Sequence, residues 1–294
     1  MLVVVNDVET RTGRGSKVCV GSVYTALFPQ DRFSSYEDFI AIPGDRIREQ
    51  PRTSVRRIEI ESSANATPLA CVLKIYRYPH ISGGRTLGAM SKAEREFRAL
   101  VRCASLGAPV ARPVAFGTRR NTLGFVTSCF LVTEYLEGYT PLWNWLTHWE
   151  SHDEAERSRL STLARECGSM LRAQHLQRFF LFTFAPKNIL IRPGDDMADT
   201  WAFLDLPYAR SLKPRPLARW GQRRDLGALA GPILRFAGED AFEAFYSSYL
   251  PDPLGASEDA VRRQVRRGAL IYNKQTPLTK AVKTVKRAFR GALS

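Results

Sequence analysis

The apolar pattern of this chain changes period once, and the change falls near Glu134–Tyr139. Before that point the runs are short and strand-like. Val55, Ile58 and Ile60 among polar residues suggest a strand, a polar turn occupies Ser62–Thr67, and Leu69–Tyr76 reads as a buried strand, so the two runs predict a hairpin. Ser91, followed three residues later by Glu94, is a capping box that opens a helix with Phe97, Leu100 and Val101 on its apolar stripe. Gly107, Pro109 and Pro113 end that helix and begin an extended segment through Phe116. Phe125-Val126 and Cys129–Thr133 are the next two strand-like runs.

After Tyr139 helical spacing takes over. Ser151 with Glu154 forms a second capping box, and Leu160, Leu163, Ala164, Cys167, Met170 and Leu171 share one face of the helix it opens. Short apolar runs at Phe179–Phe184 and Asn188–Ile191 precede a strand over Thr200–Leu206. Helices are expected over Arg224–Phe236 and Ala241–Tyr249. The expected class is α+β, with a small β-rich lobe carrying one helix, then a larger, mainly helical lobe, and a cleft between them.

Composition allows this. Of 294 residues, 44% are hydrophobic, enough to bury a real core. Lys and Arg number 43 against 29 acidic residues, a net +14, which points to an anionic partner or, alternatively, to an Arg-rich proteome. The five cysteines are scattered without a CxxC pair and read as buried thiols in a reducing compartment. The four histidines lack metal-ligand spacing. MLVVVNDVET has no basic region before its apolar run, and no stretch reaches transmembrane length, so the expectation is a cytoplasmic protein or one peripheral on the inner face of a membrane.

Phosphoryl transfer asks for cations on phosphates, a bridging metal and an oriented acceptor hydroxyl. Lys74, alone in Val72-Leu73-Lys74-Ile75-Tyr76, is either such a cation or a strand-end lysine snorkelling to solvent. Glu96 is its expected carboxylate partner, with Glu94 as rival; either is otherwise a solvent-facing helix residue. Phe130–Gly138, including Glu134 and Leu136, would be a hinge whose backbone meets an adenine edge, and it also resembles many strand-to-loop transitions. Asn188 before one apolar strand and Asp205 at the end of the next offer the hard oxygens Mg²⁺ takes; singly they read equally well as turn and cap residues. A phosphate loop at Thr12-Gly13-Arg14-Gly15-Ser16 competes with a plain surface turn.

Taken in order, these residues resemble the lipopolysaccharide core kinases (the Kdo/heptose kinases), which have the protein-kinase-like fold. The resemblance runs from about Val55 to Leu229, through Leu73-Lys74, Arg95-Glu96-Phe97, Leu106–Gly117, Leu131–Glu134, Asn188-Ile189-Leu190, Leu204-Asp205 and Arg224-Asp225-Leu226. It implies ATP and Mg²⁺ as cofactors and a sugar hydroxyl of a lipopolysaccharide core or other glycolipid as acceptor. It also implies a Lys74–Glu96 pair on the phosphates, Asn188 and Asp205 on the metal, Glu134 and Leu136 at the adenine, and Asp225 behind the catalytic loop.

The pattern breaks at the catalytic loop. Five residues before Asn188, where the family places its aspartate, stands Thr183, and Leu181 takes the histidine position. No Asp or Glu occurs from Cys167 through Gly194. A general base is worth about 10²–10⁴-fold. Leu206-Pro207 replaces the usual Phe-Gly after Asp205, and no glycine-rich loop is recognisable near Ser54–Ile60. An active but degenerate kinase and a pseudokinase acting through partners are both open.

The expected division is residues 1–50 as an N-terminal extension, 51–137 as N-lobe, 138–255 as C-lobe and 256–294 as a basic tail. In that tail Leu278, Val282, Val285 and Phe289 recur at helical spacing, with Lys280, Lys283, Lys286, Arg287 and Arg290 on the other faces. Such a helix suits an anionic membrane surface, or packs on the larger lobe with its basic face in water. Nucleic acid is the least supported partner, because no binding module or aromatic-basic motif is present.

Overall fold

The computed structural model describes residues 8–13, 15–61, 68–78, 87–148, 151–192 and 200–273. Along the chain come β1 (Val8–Gly13), β2 (Ser16–Gly21), a 3₁₀ turn (Ser22–Leu27), α1 (Tyr36–Ala41), β3 (Asp45–Gln50), β4 (Thr53–Ile60) and β5 (Leu69–Arg77). Then follow α2 (Lys92–Ser105), β6 (Pro113–Arg120), β7 (Val126–Glu134), β8 (Thr140–Pro141), α3 (Leu142–Thr147), α4 (Glu154–Leu176) and β9 (Phe179–Phe180). The rest is β10 (Ile189–Arg192), β11 (Thr200–Phe203), β12 (Arg210–Ser211), α5 (Arg215–Phe236), α6 (Gly238–Tyr249) and α7 (Glu258–Asn273). Two compact units result: one runs to Tyr139 and takes back 190–192 and 200–210, and the other holds the remainder.

The first unit is built on an antiparallel sheet of order β1-β2-β6-β7-β5-β4-β3. On one face α2 packs through Phe97, whose ring lies 5.0 Å from that of Phe116 on β6. On the other, Phe130 of β7 stacks on Phe39 of α1 at 5.1 Å, and Phe39 stacks in turn on Phe28. Gly117, across from Phe130, leaves the room that ring occupies; a Cβ there would lie inside it. Burying a large aromatic side chain contributes about 2–3 kcal/mol, so these faces hold the sheet together.

The boundary expected at residue 50 falls inside this sheet. Residues 45–50 are β3, hydrogen-bonded to β4, and β1 and β2 extend the sheet beyond β6. β3 is exposed throughout and mostly charged, so no buried pattern marks it. Arg11, 6% exposed, ties the N-terminal hairpin down by donating to the carbonyls of Phe28 and Phe33.

Two strand and helix starts also shift. The two runs at Phe125 and Cys129 are one strand, β7, and α4 is capped by Asp153 with Glu156 in a reciprocal box instead of Ser151 with Glu154. At α2 Ser91 accepts from the Glu94 amide as expected, while the Glu94 carboxylate turns to Arg98.

In the second unit α4 packs on α6 and α5 packs on α7. The predicted apolar face of α4 is buried from Leu160 through Leu171. α5 begins nine residues ahead of the expected Arg224, with Pro216 in its first turn, where a missing N–H costs nothing. In α7 Val261 and Val265 are buried, and Arg262 and Arg266 pair with Glu243 and Glu239 of α6. The opening of the basic tail is therefore a docked helix, with Arg262 and Arg266 paired to α6. The amphipathic stretch over 278–293 lies outside the described residues.

Candidate active site

In the first unit, Lys74 lies on the α2 face of β5, opposite Val55 and Leu131. Its ammonium donates to Glu96 Oε1 at 3.1 Å and to Asp205 Oδ1 at 2.5 Å. Tyr76, two residues on and therefore on the same face, donates its hydroxyl to the other oxygen of Glu96 at 2.8 Å. Glu96 is 2% exposed, so this carboxylate exists only because two donors satisfy it. Burial opposes the charge on Lys74, but Glu96 and Asp205 outweigh it and hold its pKa above the ordinary value. Burial, then the charge of Glu96, pushes the Tyr76 phenol far up, so it remains a donor. An ammonium has three protons, and these carboxylates take two.

What brings Asp205 to Lys74 is the Gly-x-Pro run after α2. Gly107 closes the helix in the left-handed region at φ +77°, which only glycine enters without strain. The chain then runs extended, and Phe203 of β11 donates to the Pro109 carbonyl at 3.0 Å while Ala111 donates back to Phe203. Asp205 lies two residues beyond this latch. Its own φ is +66°, an uncommon conformation that Asp tolerates better than most residues. The strand expected to reach Leu206 thus ends at Phe203, and the carboxylate sits on a left-handed turn, 34% exposed.

At the predicted hinge the Glu134 amide donates to the Arg112 carbonyl and the Tyr135 amide to Ala70. The Glu134 carboxylate is also spent: it accepts from Tyr24 at 2.7 Å and lies 3.8 Å from Arg112. Among the described residues the Leu136 backbone has no hydrogen-bond partner, which leaves it a group able to meet an adenine edge.

The phosphate loop entertained at Thr12–Ser16 is misplaced for this site. It is the β1–β2 turn on the far edge of the sheet, with β6 and β7 between its hairpin and β5. The hairpin beside Lys74 is β3–β4, whose turn is Pro51-Arg52. That turn has no glycine, and Pro51 has no N–H to offer a phosphate.

In the second unit the loop around Thr183 is held by one buried carboxylate. Asp225 of α5 accepts from the amides of Leu181 (2.7 Å) and Phe182 (2.5 Å) and from His175 Nε2 (3.2 Å). Phe182, at φ +62°, is the strained residue this clamp holds. A chain of donors fixes the histidine tautomer. Gln222 donates to the Tyr249 hydroxyl, which donates to His175 Nδ1, so the proton of the imidazole sits on Nε2 facing Asp225. Thr183 donates to the Leu181 carbonyl, and Asn188 Nδ2 donates to the Thr183 carbonyl at 2.8 Å, closing the loop. One N–H of the Asn188 amide is used in this way, and its Oδ1 remains as a hard oxygen. Asp205, with its half-exposed carboxylate, likewise offers the ligand type Mg²⁺ takes. No cluster of three or more His, Cys, Asp or Glu suited to a metal occurs among the described residues. Mg²⁺ needs none when phosphates complete its shell.

The sequence missed His175, Tyr249, Tyr76 and Tyr24. Each sits in a helical or strand pattern where an apolar reading sufficed, and only the fold reveals its partner.

The model of the lipopolysaccharide kinase (Kdo/WaaP) family matches residues 85–249. No curated protein matches the chain by sequence. Among solved structures it is similar to one described as WaaP in complex with acyl carrier protein. The two are 20% identical, the match covers 86% of this chain and 97% of that one, and the TM-score is 0.64. That likeness supports the α+β, kinase-like fold. With a family match over more than half of its length, the chain belongs to the lipopolysaccharide kinase (Kdo/WaaP) family.

Proposed function

We propose that the protein binds Mg-ATP in its N-terminal unit and transfers phosphate to a sugar hydroxyl of a lipopolysaccharide-core or related glycolipid, at a rate limited by the missing base. One observation carries the reading. A lysine held between a buried glutamate and an aspartate on a left-handed turn is a costly arrangement to desolvate, and a polyphosphate with its metal supplies the reason to keep it. Lys74 has its third proton for a phosphate oxygen, and Leu136 has free backbone groups for the base. Mg²⁺, when bound, would neutralise charge on the transferred phosphoryl group. Asp205 and Asn188 each carry an oxygen of the kind it takes.

Thr183 cannot accept a proton at neutral pH as a carboxylate does, and positioning plus electrostatics must supply most of the acceleration. The full chain should show an Mg²⁺-dependent thermal shift with ATP that Asp205→Ala abolishes. Thr183→Asp should raise phosphotransfer about 10²-fold or more. Equal background turnover in the wild type and Asp205→Ala would overturn the catalytic reading.

A second reading follows from the absence of any acid from Cys167 through Gly194: a pseudokinase that binds nucleotide and acts through a partner. It predicts a nucleotide shift without turnover, unimproved by Thr183→Asp. The solved structure it resembles is a complex with acyl carrier protein, which makes a carrier protein the first partner to test. In either case the site of action is the cytoplasmic side of a membrane, reached through residues 278–293. Liposome flotation of the chain cut after Asn273 tests this, and undiminished binding to anionic vesicles would refute it.

A further inference from the structure

Lys92 is the charged group near the Lys74 site that no part of the proposed function uses. It is the first residue of α2, half-buried, with its ammonium 4.1 Å from the centre of the Tyr76 ring. Lys74 approaches the same ring at 5.5 Å, so two cations share one aromatic face region. Among the described residues no carboxylate comes within ion-pair distance of Lys92, whereas Lys74 has two. Burial, then repulsion from Lys74, lowers the pKa of Lys92, and Asp205 and Glu96 are close enough to oppose that. A cation placed next to another cation, partly out of water and with no anion of its own, is unfavourable unless something anionic arrives. Lys74, Lys92, Glu96 and Asp205 together sum to no net charge, so this corner has no surplus carboxylate for Lys92 to take.

The neighbouring hairpin makes the need specific. Where a glycine-rich turn would present backbone amides to phosphates, the β3–β4 turn presents Pro51-Arg52. We propose that Lys92 is a second phosphate-binding residue, holding the terminal phosphates of a nucleoside triphosphate beside Lys74 in place of the missing amide cradle. This rests on the nucleotide reading of the site and adds the residue that gives it preference for a triphosphate. An ammonium on a flexible stem suits the role because it binds phosphate as a point charge and can follow it.

The test is calorimetric titration of the full chain with Mg-ATP, Mg-ADP and AMP, for wild type, Lys92→Gln and Lys92→Arg. Lys92→Gln keeps much of the aliphatic stem over Tyr76, and each variant's melting curve is recorded alongside. Loss of one charge-assisted contact should weaken Mg-ATP about tenfold. AMP should bind both proteins alike, and Lys92→Arg should retain most of the ATP affinity. The slope of ATP affinity against salt should also flatten in Lys92→Gln. Wild-type ATP affinity in Lys92→Gln would overturn the proposal, as would an equal loss for ATP and AMP, which marks a structural role. Failure of the wild type to bind any nucleotide would instead overturn the nucleotide reading and the role of Lys92 with it.

Discussion

Replacing Asp225 by Asn is the sharpest perturbation the second unit offers. The exchange keeps shape and removes one acceptor. The surviving oxygen can serve Leu181 N and His175 Nε2, which share Oδ2, but the new NH₂ must then face the Phe182 amide across a 2.5 Å contact. One charge-assisted hydrogen bond, worth about 1.5–3 kcal/mol, is lost, and a part-buried donor goes unpaired at about 1–3 kcal/mol more. The expected cost is about 3–4 kcal/mol, because Asp225 and His175 are both fully buried and water cannot substitute. At about 2–4 °C per kcal/mol for a chain of this size, the melting point should fall by roughly 6–16 °C. Asp225→Ala, which abandons all three donors, should fall further. Tyr249→Phe breaks the same chain one link away, between His175 and Gln222, and should cost only about 1–2 kcal/mol. Thermal or urea unfolding read by intrinsic fluorescence measures all three. An Asp225→Asn protein melting within 2 °C of the wild type, about 0.5–1 kcal/mol on that scale, would refute the claim that this carboxylate holds the loop.

Lys74→Met should abolish the nucleotide shift and also destabilise by about 3 kcal/mol, because it leaves the 2%-exposed carboxylate of Glu96 with Tyr76 as its remaining hydrogen-bond donor; Lys74→Met with Glu96→Gln should recover much of the stability and none of the binding. Gly168→Ala should cost about 2–3 kcal/mol in chemical denaturation, since its Cβ would meet the Phe245 carbonyl and Ser248 Oγ where α4 and α6 touch. None of the five cysteines should react with a thiol reagent at pH 8 in the native state, and all five should in denaturant. Burial, then Glu134, pushes the Cys71 thiol up to about 12, so raising the pH through 9 should not expose it as a thiolate.

What could be read from sequence follows burial closely. β5, α2 and α4 were legible because each buries one face and shows the period of its geometry, and Lys74 was conspicuous as a charge inside an apolar run. β3 was invisible for the opposite reason: an edge strand exposed on every residue carries no period, and its charges are those of a loop. From the residues Glu96 is the expected partner of Lys74 with Glu94 as its rival, and the family resemblance favours Glu96. The fold separates them: Glu94 takes Arg98 on its own helix, and Glu96 turns toward the sheet.

Asp225 and His175 show a different limit. Nothing in the local pattern of α4 or α5 tells that these two residues meet 50 positions apart, since a buried histidine and a buried aspartate each look like a lapse in an apolar face. Lys92 belongs to the same class. As the residue after a helix cap it reads as an ordinary surface lysine, and its meaning comes only from Tyr76 and Lys74 arriving from β5. The loop around Thr183 therefore lacks a carboxylate without lacking support: the clamp on Leu181 and Phe182 and the Asn188 bond to the Thr183 carbonyl are both in place. Strained backbone held by buried charge costs stability and decays readily when it serves nothing. Its presence around Thr183 is the physical argument in favour of the proposed function, in which this loop positions a ligand whether or not a proton is ever taken there.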